Sequence, residues 1–167
     1  VWSTPATWQT WNGAAWVAAG SPPAFSNNVT VQNGHTVTVG ASLLPCNDLR
    51  VDAGGKLFTG LTSTNYYLNV FGDTIQCNGM IGNSPTFDGL SFNFEGASCR
   101  IIGTGVFDAS RFRKTSTRNL TTNLTIENNV KLVASGSMFL NKEKLNLTFL
   151  TDYYNNKQAA DTFNNAI

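Results

Sequence analysis

Charge is scarce in this chain. Asp, Glu, Lys and Arg make up 13% of its 167 residues, about half the share of an average soluble domain. Eleven Lys and Arg oppose ten Asp and Glu, a formal charge of +1, so no global field gathers nucleic acid or an anionic membrane. No stretch approaches the roughly 18 to 20 continuous apolar residues of a membrane helix, so membrane insertion is not expected. Val1-Trp2-Ser3-Thr4-Pro5 lacks the basic start and apolar run of a signal peptide; any export signal is expected to have been removed already.

Other absences exclude chemistry. Cys46, Cys77 and Cys99 are odd in number and lack the close paired spacing of a zinc site or a redox motif. They read as small buried hydrophobes, with Cys46, after Pro45, expected at a partly exposed corner. The sequence has neither a Gly-rich phosphate loop nor H-E-x-x-H, which removes nucleotide-binding and zinc-protease readings. No cofactor is implied. Helical periodicity is missing from the repeated region, and a short helix is expected only near Gln158 to Phe163.

What the sequence does have is Asn, Thr, Ser, Gly and a repeat. At this length about 70% of the unfolded chain's surface can be buried. Two alternating apolar residues, a Gly- or Asn-rich turn and another apolar residue recur, beginning at Val29-Thr30-Val31-Gln32-Asn33-Gly34. Further copies start at Leu49, Leu68, Phe92 and Leu124. With Val31, Val51, Val70, Phe94, Ile126 and Leu147 as anchors, the offsets are 20, 19, 24, 32 and 21. Elastic offsets near 20 fit the rungs of a β-solenoid, in which stacking at about 4.8 Å turns isolated apolar pairs into continuous columns. Aligning Gly72, Ile75, Cys77 and Gly79 with Gly96, Cys99, Ile101 and Gly103 places two of the cysteines in that core.

Two segments break the rhythm. Residues 1–26 hold Trp2, Trp8, Trp11 and Trp16, with an Asn12-Gly13 hairpin signal. They are expected to form an aromatic cap over the open strand edge of the first rung. After Gly103, the residues Arg111, Arg113, Lys114 and Arg118 are expected in a protruding, locally positive loop.

Candidate sites are few. Asp52, Glu95 and Glu127 each follow a second inward residue and could share one outward column, read either as a solvated strand end, as a catalytic carboxylate ladder or as a weak calcium site. His35 lies in a turn with no nucleophile signature beside it, and is read as a backbone-bonding turn residue. Trp8, Trp11 and Trp16 are the candidate carbohydrate contacts, since a flat ring covers the apolar face of a pyranose; Tyr66-Tyr67 and Tyr153-Tyr154 are further candidates. Packing in the cap competes for the tryptophans. Asn28, Asn119, Asn123 and Asn146 fit N-x-Ser/Thr, a pattern that a Thr- and Asn-rich solenoid produces without selection for glycosylation.

The spaced Trp8, Trp11 and Trp16, Pro22-Pro23, and Asn27-Asn28-Val29-Thr30-Val31-Gln32-Asn33-Gly34-His35-Thr36-Val37-Thr38-Val39 carry a resemblance. This pattern, over about residues 2 to 40, resembles the N-terminal Trp-bearing β-helix region of large Bacteroidetes surface proteins and, more distantly, G8-type domains. The resemblance implies export, often by type IX secretion, and extracellular display at the cell surface as an adhesin or gliding-related protein. Asp73-Thr74-Ile75 also looks like the O-glycosylation sequon of such bacteria, which makes Thr74 a candidate modification site.

The expected fold is therefore all-β, a right-handed parallel β-helix with an N-terminal aromatic cap. Residues 1–26 form the cap and 27–167 the rungs, which are expected to continue beyond 167 in a longer protein. The expected function is a non-catalytic structural or adhesive module of a secreted surface protein. Its expected partners are other modules of the same polypeptide, cell-surface or secretion-system proteins, and glycans. Two alternatives stand: a carbohydrate-binding or polysaccharide-degrading β-helix, and a subunit of an extracellular filament or secretion complex.

Overall fold

A computed structural model describes residues 1–59, 66–82, 90–108, 111–113, 122–126, 131–133, 139–140 and 145–149. They are all-β, apart from one 3-10 turn at Pro5–Thr7. The expected helix near Gln158 lies outside the described residues.

Alternating apolar residues of three to five positions make short strands, and Gly or Asn turns end them before an isolated hairpin can form. From Val29 onward the chain instead visits three parallel sheets in rotation. The first contains β3 (Val29–Val31), β6 (Leu49–Val51), β9 (Thr74–Cys77), β12 (Ser98–Ile102), β15 (Thr122–Ile126) and β18 (Leu145–Phe149). The second contains β4 (Thr36–Val39), β7 (Lys56–Thr59), β10 (Met80–Gly82), β13 (Val106–Asp108) and β16 (Lys131–Val133). The third contains β5 (Leu44–Cys46), β8 (Tyr66–Val70), β11 (Leu90–Phe94), β14 (Arg111–Arg113) and β17 (Phe139–Leu140). This cyclic order of stacked parallel sheets is compatible with a β-solenoid.

The core follows from the register. Val29, Leu49, Ile75, Ile101 and Ile126 line up in the first sheet. Val37, Leu57, Ile81 and Phe107 do so in the second. All nine are buried, and burying each such side chain stabilises the fold by about 1.5–3 kcal/mol. Phe92 in the third sheet meets Phe107 in the second at 5.0 Å between ring centroids, so the sheets share one core. At the corner between the first and second sheets, a Cβ on Gly79 would collide with the carbonyl oxygens of Asp52 and Gly55. Only glycine allows the circuits to stack so closely there.

The neighbours differ from those the repeat spacing suggests. Val31 does face Val51. Val51, however, faces Cys77 rather than Val70, because Val70 belongs to the third sheet, between Cys46 and Phe94. Each circuit offers three similar apolar pairs, so a sequence match can land on the wrong side of the right circuit. A smaller slip affects the cysteines: Ile75 faces Ile101, not Cys99. Two residues of slip leave the face unchanged, and Cys99 is still buried at 1% exposure. Cys46 is not at an exposed corner; it lies inside β5 with 0% exposure. All three thiols are free.

The same register separates Asp52 from Glu95. Asp52 follows β6, at the corner leading to the second sheet, whereas Glu95 follows β11, at the corner leading back to the first. They share no column, and Glu127 lies outside the described residues. Arg111 and Arg113 belong to a strand rather than a loop: β14 pairs with Ser91–Asn93, placing Phe112 opposite Phe92. The Arg-Phe-Arg alternation supplies the third-sheet strand of its circuit. Lys114 and Arg118 lie outside the described residues.

Candidate functional site

Residues 1–26 divide their tryptophans between two tasks. Trp2 is fully buried in the core, and its backbone N–H donates to Thr38 O at 2.8 Å, on the outermost strand of the second sheet. Trp8 leans on Trp2 edge to face, 5.1 Å between centroids at 72°, and its indole Nε1 donates to Trp2 O at 2.7 Å. The adjoining edge of the third sheet carries Pro45 in β5, a residue with no N–H to offer an incoming strand.

Trp11 and Trp16 are placed differently. β1 (Gln9–Trp11) and β2 (Trp16–Ala18) form an antiparallel hairpin with Trp11 opposite Trp16. The turn is closed by Asn12, whose Oδ1 accepts from Ala14 N at 3.0 Å and Ala15 N at 2.9 Å, with Gly13 at φ 100°. All six strand residues are exposed. The two indoles, 53% and 57% exposed, meet at 5.7 Å with planes 61° apart. Such a pair clamps the hairpin, but it is not the coplanar platform that lies along successive sugar rings. Of the three candidate carbohydrate contacts, Trp8 is thus committed to Trp2, while Trp11 and Trp16 present tilted faces.

A second surface was not legible in the sequence. Three circuits meet at the corner between the third and first sheets and leave an open groove of about 320 Å³, lined in part by Asn47, Asp48, Phe71, Asp73 and Ser98. Phe25, 62% exposed, packs against Phe71, 40% exposed, at 5.8 Å. Asp48 Oδ1 accepts from the backbone N–H of both Asp73 and Thr74, each at 3.0 Å. Thr74 Oγ1 donates to Asp73 Oδ1 at 2.7 Å, so the candidate modification site is tied to a carboxylate of this groove. These residues are far apart in sequence, and only the three-circuit register unites them. The nearest sequence signal is that Phe71, like Asp52 and Glu95, directly follows the second apolar residue of a repeat.

Beneath the groove the thiols are inert. Burial pushes Cys46 up to about 12, with the Asp48 charge adding to it. Burial likewise raises Cys99, helped by Asp48 and Asp73. Neutral thiols are poor nucleophiles and poor metal ligands.

The remaining candidates do not converge. Asp52 is tied to Arg50 Nε at 2.6 Å on the surface, a pair that contributes little. Glu95 accepts from Asn93 Nδ2 at 2.5 Å, and Asn93 also donates to Asn69 Oδ1 at 3.2 Å. His35 is exposed and serves the turn: its N–H donates to Gln32 O at 3.1 Å and its C=O accepts from Lys56 N at 2.9 Å. Tyr66 and Tyr67 are half-buried, Tyr66 against the core, and Tyr153-Tyr154 lie outside the described residues. No group of three or more His, Cys, Asp or Glu that could hold a metal occurs among the described residues. No described helix is long and apolar enough to cross a membrane.

The chain matches no family model, no curated protein and no solved structure. Function therefore has to be read from the surfaces themselves.

Proposed function

We propose that the chain is a right-handed parallel β-helix whose first circuit is capped by the Trp2–Trp8 pair, and that it serves as a non-catalytic structural or adhesive module of a secreted bacterial surface protein. The observation that carries this reading is the division of labour in residues 1–26. Trp2 and Trp8 are spent on the first circuit's core and edge, as a rigid rod of stacked circuits requires. The sequence resemblance to Bacteroidetes surface proteins supports export and display, and its partners would then be other modules of the same polypeptide and components of the cell surface.

The enzyme alternative requires carboxylates and a base on one exposed face. Asp52 and Glu95 stand at different corners, each with a neighbour already bound, which favours the non-catalytic reading. Depolymerisation assays on neutral and uronate polysaccharides test it. No product release is expected, and any release that scales with purified protein contradicts the proposal.

A further inference from the structure

We propose that the corner groove beside Phe71 is a binding subsite for one neutral hexopyranose unit of a glycan. The inference rests on the adhesive reading above and names the ligand class.

The groove has the two unlike walls that a sugar needs. On one side the exposed ring of Phe71, braced from outside the groove by Phe25 at 5.8 Å and 56°, offers apolar surface to the C–H face of a pyranose. On the other side stand hydrogen-bond acceptors held in place in advance. Asp48 is fixed through one oxygen by two backbone N–H groups, which leaves its second oxygen for a ligand. Asp73 is fixed through one oxygen by the Thr74 hydroxyl, with its second oxygen likewise left. Asn47 gives its Nδ2 hydrogen to Asn28 Oδ1 at 2.8 Å, leaving its carbonyl oxygen as an acceptor. Carboxylates accept from hydroxyls in charge-assisted bonds, about twice as strong as neutral ones.

Charge sets the specificity. Neither Asp48 nor Asp73 is in an ion pair among the described residues. Two carboxylates on one groove disfavour uronates and sulfated sugars, which makes a neutral sugar the fitting ligand. Size sets the extent. About 320 Å³ is at the lower end of ligand sites, enough for one ring, with the chain continuing into solvent at the open side. Glycine keeps the floor low: a side chain at Gly72 would strike the Asp48 carboxylate.

A single shallow subsite gives a dissociation constant on the order of 1 mM, within reach of saturation-transfer NMR. The intact chain is titrated with cello-, manno-, xylo- and chitohexaose, with a hexagalacturonate and with a lysine-rich peptide. At least one neutral hexasaccharide is expected to bind. Phe71→Ala and Asp73→Asn are each expected to weaken it by about tenfold or more, while Trp11→Ala/Trp16→Ala leaves it unchanged. Far-UV circular dichroism and melting of each variant verify the fold. The proposal is overturned if no neutral hexasaccharide binds, if the uronate or the peptide binds in preference, or if binding is lost with the tryptophans and survives Phe71→Ala. Sugar release from the same mixtures would instead sink the non-catalytic reading, whatever the binding result.

Discussion

The indole Nε1 of Trp8 donates to the backbone carbonyl of Trp2 at 2.7 Å, while its ring covers the Trp2 ring edge to face. Trp8 thereby holds in place the buried Trp2, which lies against the outermost strand of the second sheet. Trp2→Ala removes a fully buried indole and is expected to cost about 3–5 kcal/mol. Trp8→Phe keeps most of the packing but leaves the Trp2 carbonyl without its donor, at a cost of about 1 kcal/mol. Trp16→Ala, on the exposed hairpin, is expected to cost less than about 1.5 kcal/mol. Urea unfolding of the three variants checks this order, and equal losses for Trp2→Ala and Trp16→Ala would refute it.

Leu43 occupies the left-handed region at φ 62° and is 56% exposed. A side chain with a Cβ costs about 1–2 kcal/mol there, and its exposure leaves it little packing to offset that cost. Leu43→Gly is expected to raise stability by about 1 kcal/mol, measured as a higher urea midpoint with an unchanged slope. A lower midpoint would mean that the Leu43 side chain is needed in place.

The three buried thiols make a chemical prediction. Cys46 and Cys77 are pushed by burial from the ordinary 9.0 up to about 12, so a thiol reagent at pH 8 should leave the native chain unmodified and react with all three cysteines after denaturation. The sign for stability follows. The unfolded chain loses its thiol protons first as pH rises, so their contribution is complete below pH 9 and is lost as pH rises through about 12. Unfolding free energy measured from pH 8 upward should fall once pH passes 9. A flat profile would place the thiols in water.

At the glycine-lined corner, Gly79→Ala is expected to cost more than about 2 kcal/mol, because its Cβ meets two backbone carbonyls that cannot rotate away. Gly20→Ala, where nothing lies within 4 Å, is the control. Thermal melts of the pair should separate clearly.

How much of this was legible in the sequence depends on distance along the chain. The alternation in Val29-Thr30-Val31 gives the inward face, the Asn12-Gly13 turn gives the hairpin, and the lack of helical periodicity gives the all-β class, because each rests on contacts a few residues apart. Register is a different matter. The Leu49–Val51 strand has the same apolar spacing as Leu68–Val70, and only the whole circuit decides that Val51 faces Cys77. Errors by an even number of residues cost nothing in burial, which is why Cys99 was placed inward from a wrong partner. The Phe71 groove needed three correct registers at once, and so it could not be seen. The separation of Trp2 and Trp8 from Trp11 and Trp16 depends on where the N-terminal segment folds back, which the spacing of tryptophans does not encode.

The register underlies the groove, the buried thiols and the stacking of the three sheets, and cross-linking tests it most directly. Arg50 and Gln76 are partners in neighbouring circuits, within the Cα separation of about 4.4–6.8 Å that a disulfide spans. Mild oxidation of Arg50→Cys/Gln76→Cys should give a 50–76 cross-link by peptide mass spectrometry, whereas Arg50→Cys/Asn69→Cys, the pair that the repeat spacing suggests, should stay reduced. A cross-link in the second variant and none in the first would contradict the stacking, and with it every surface built on it.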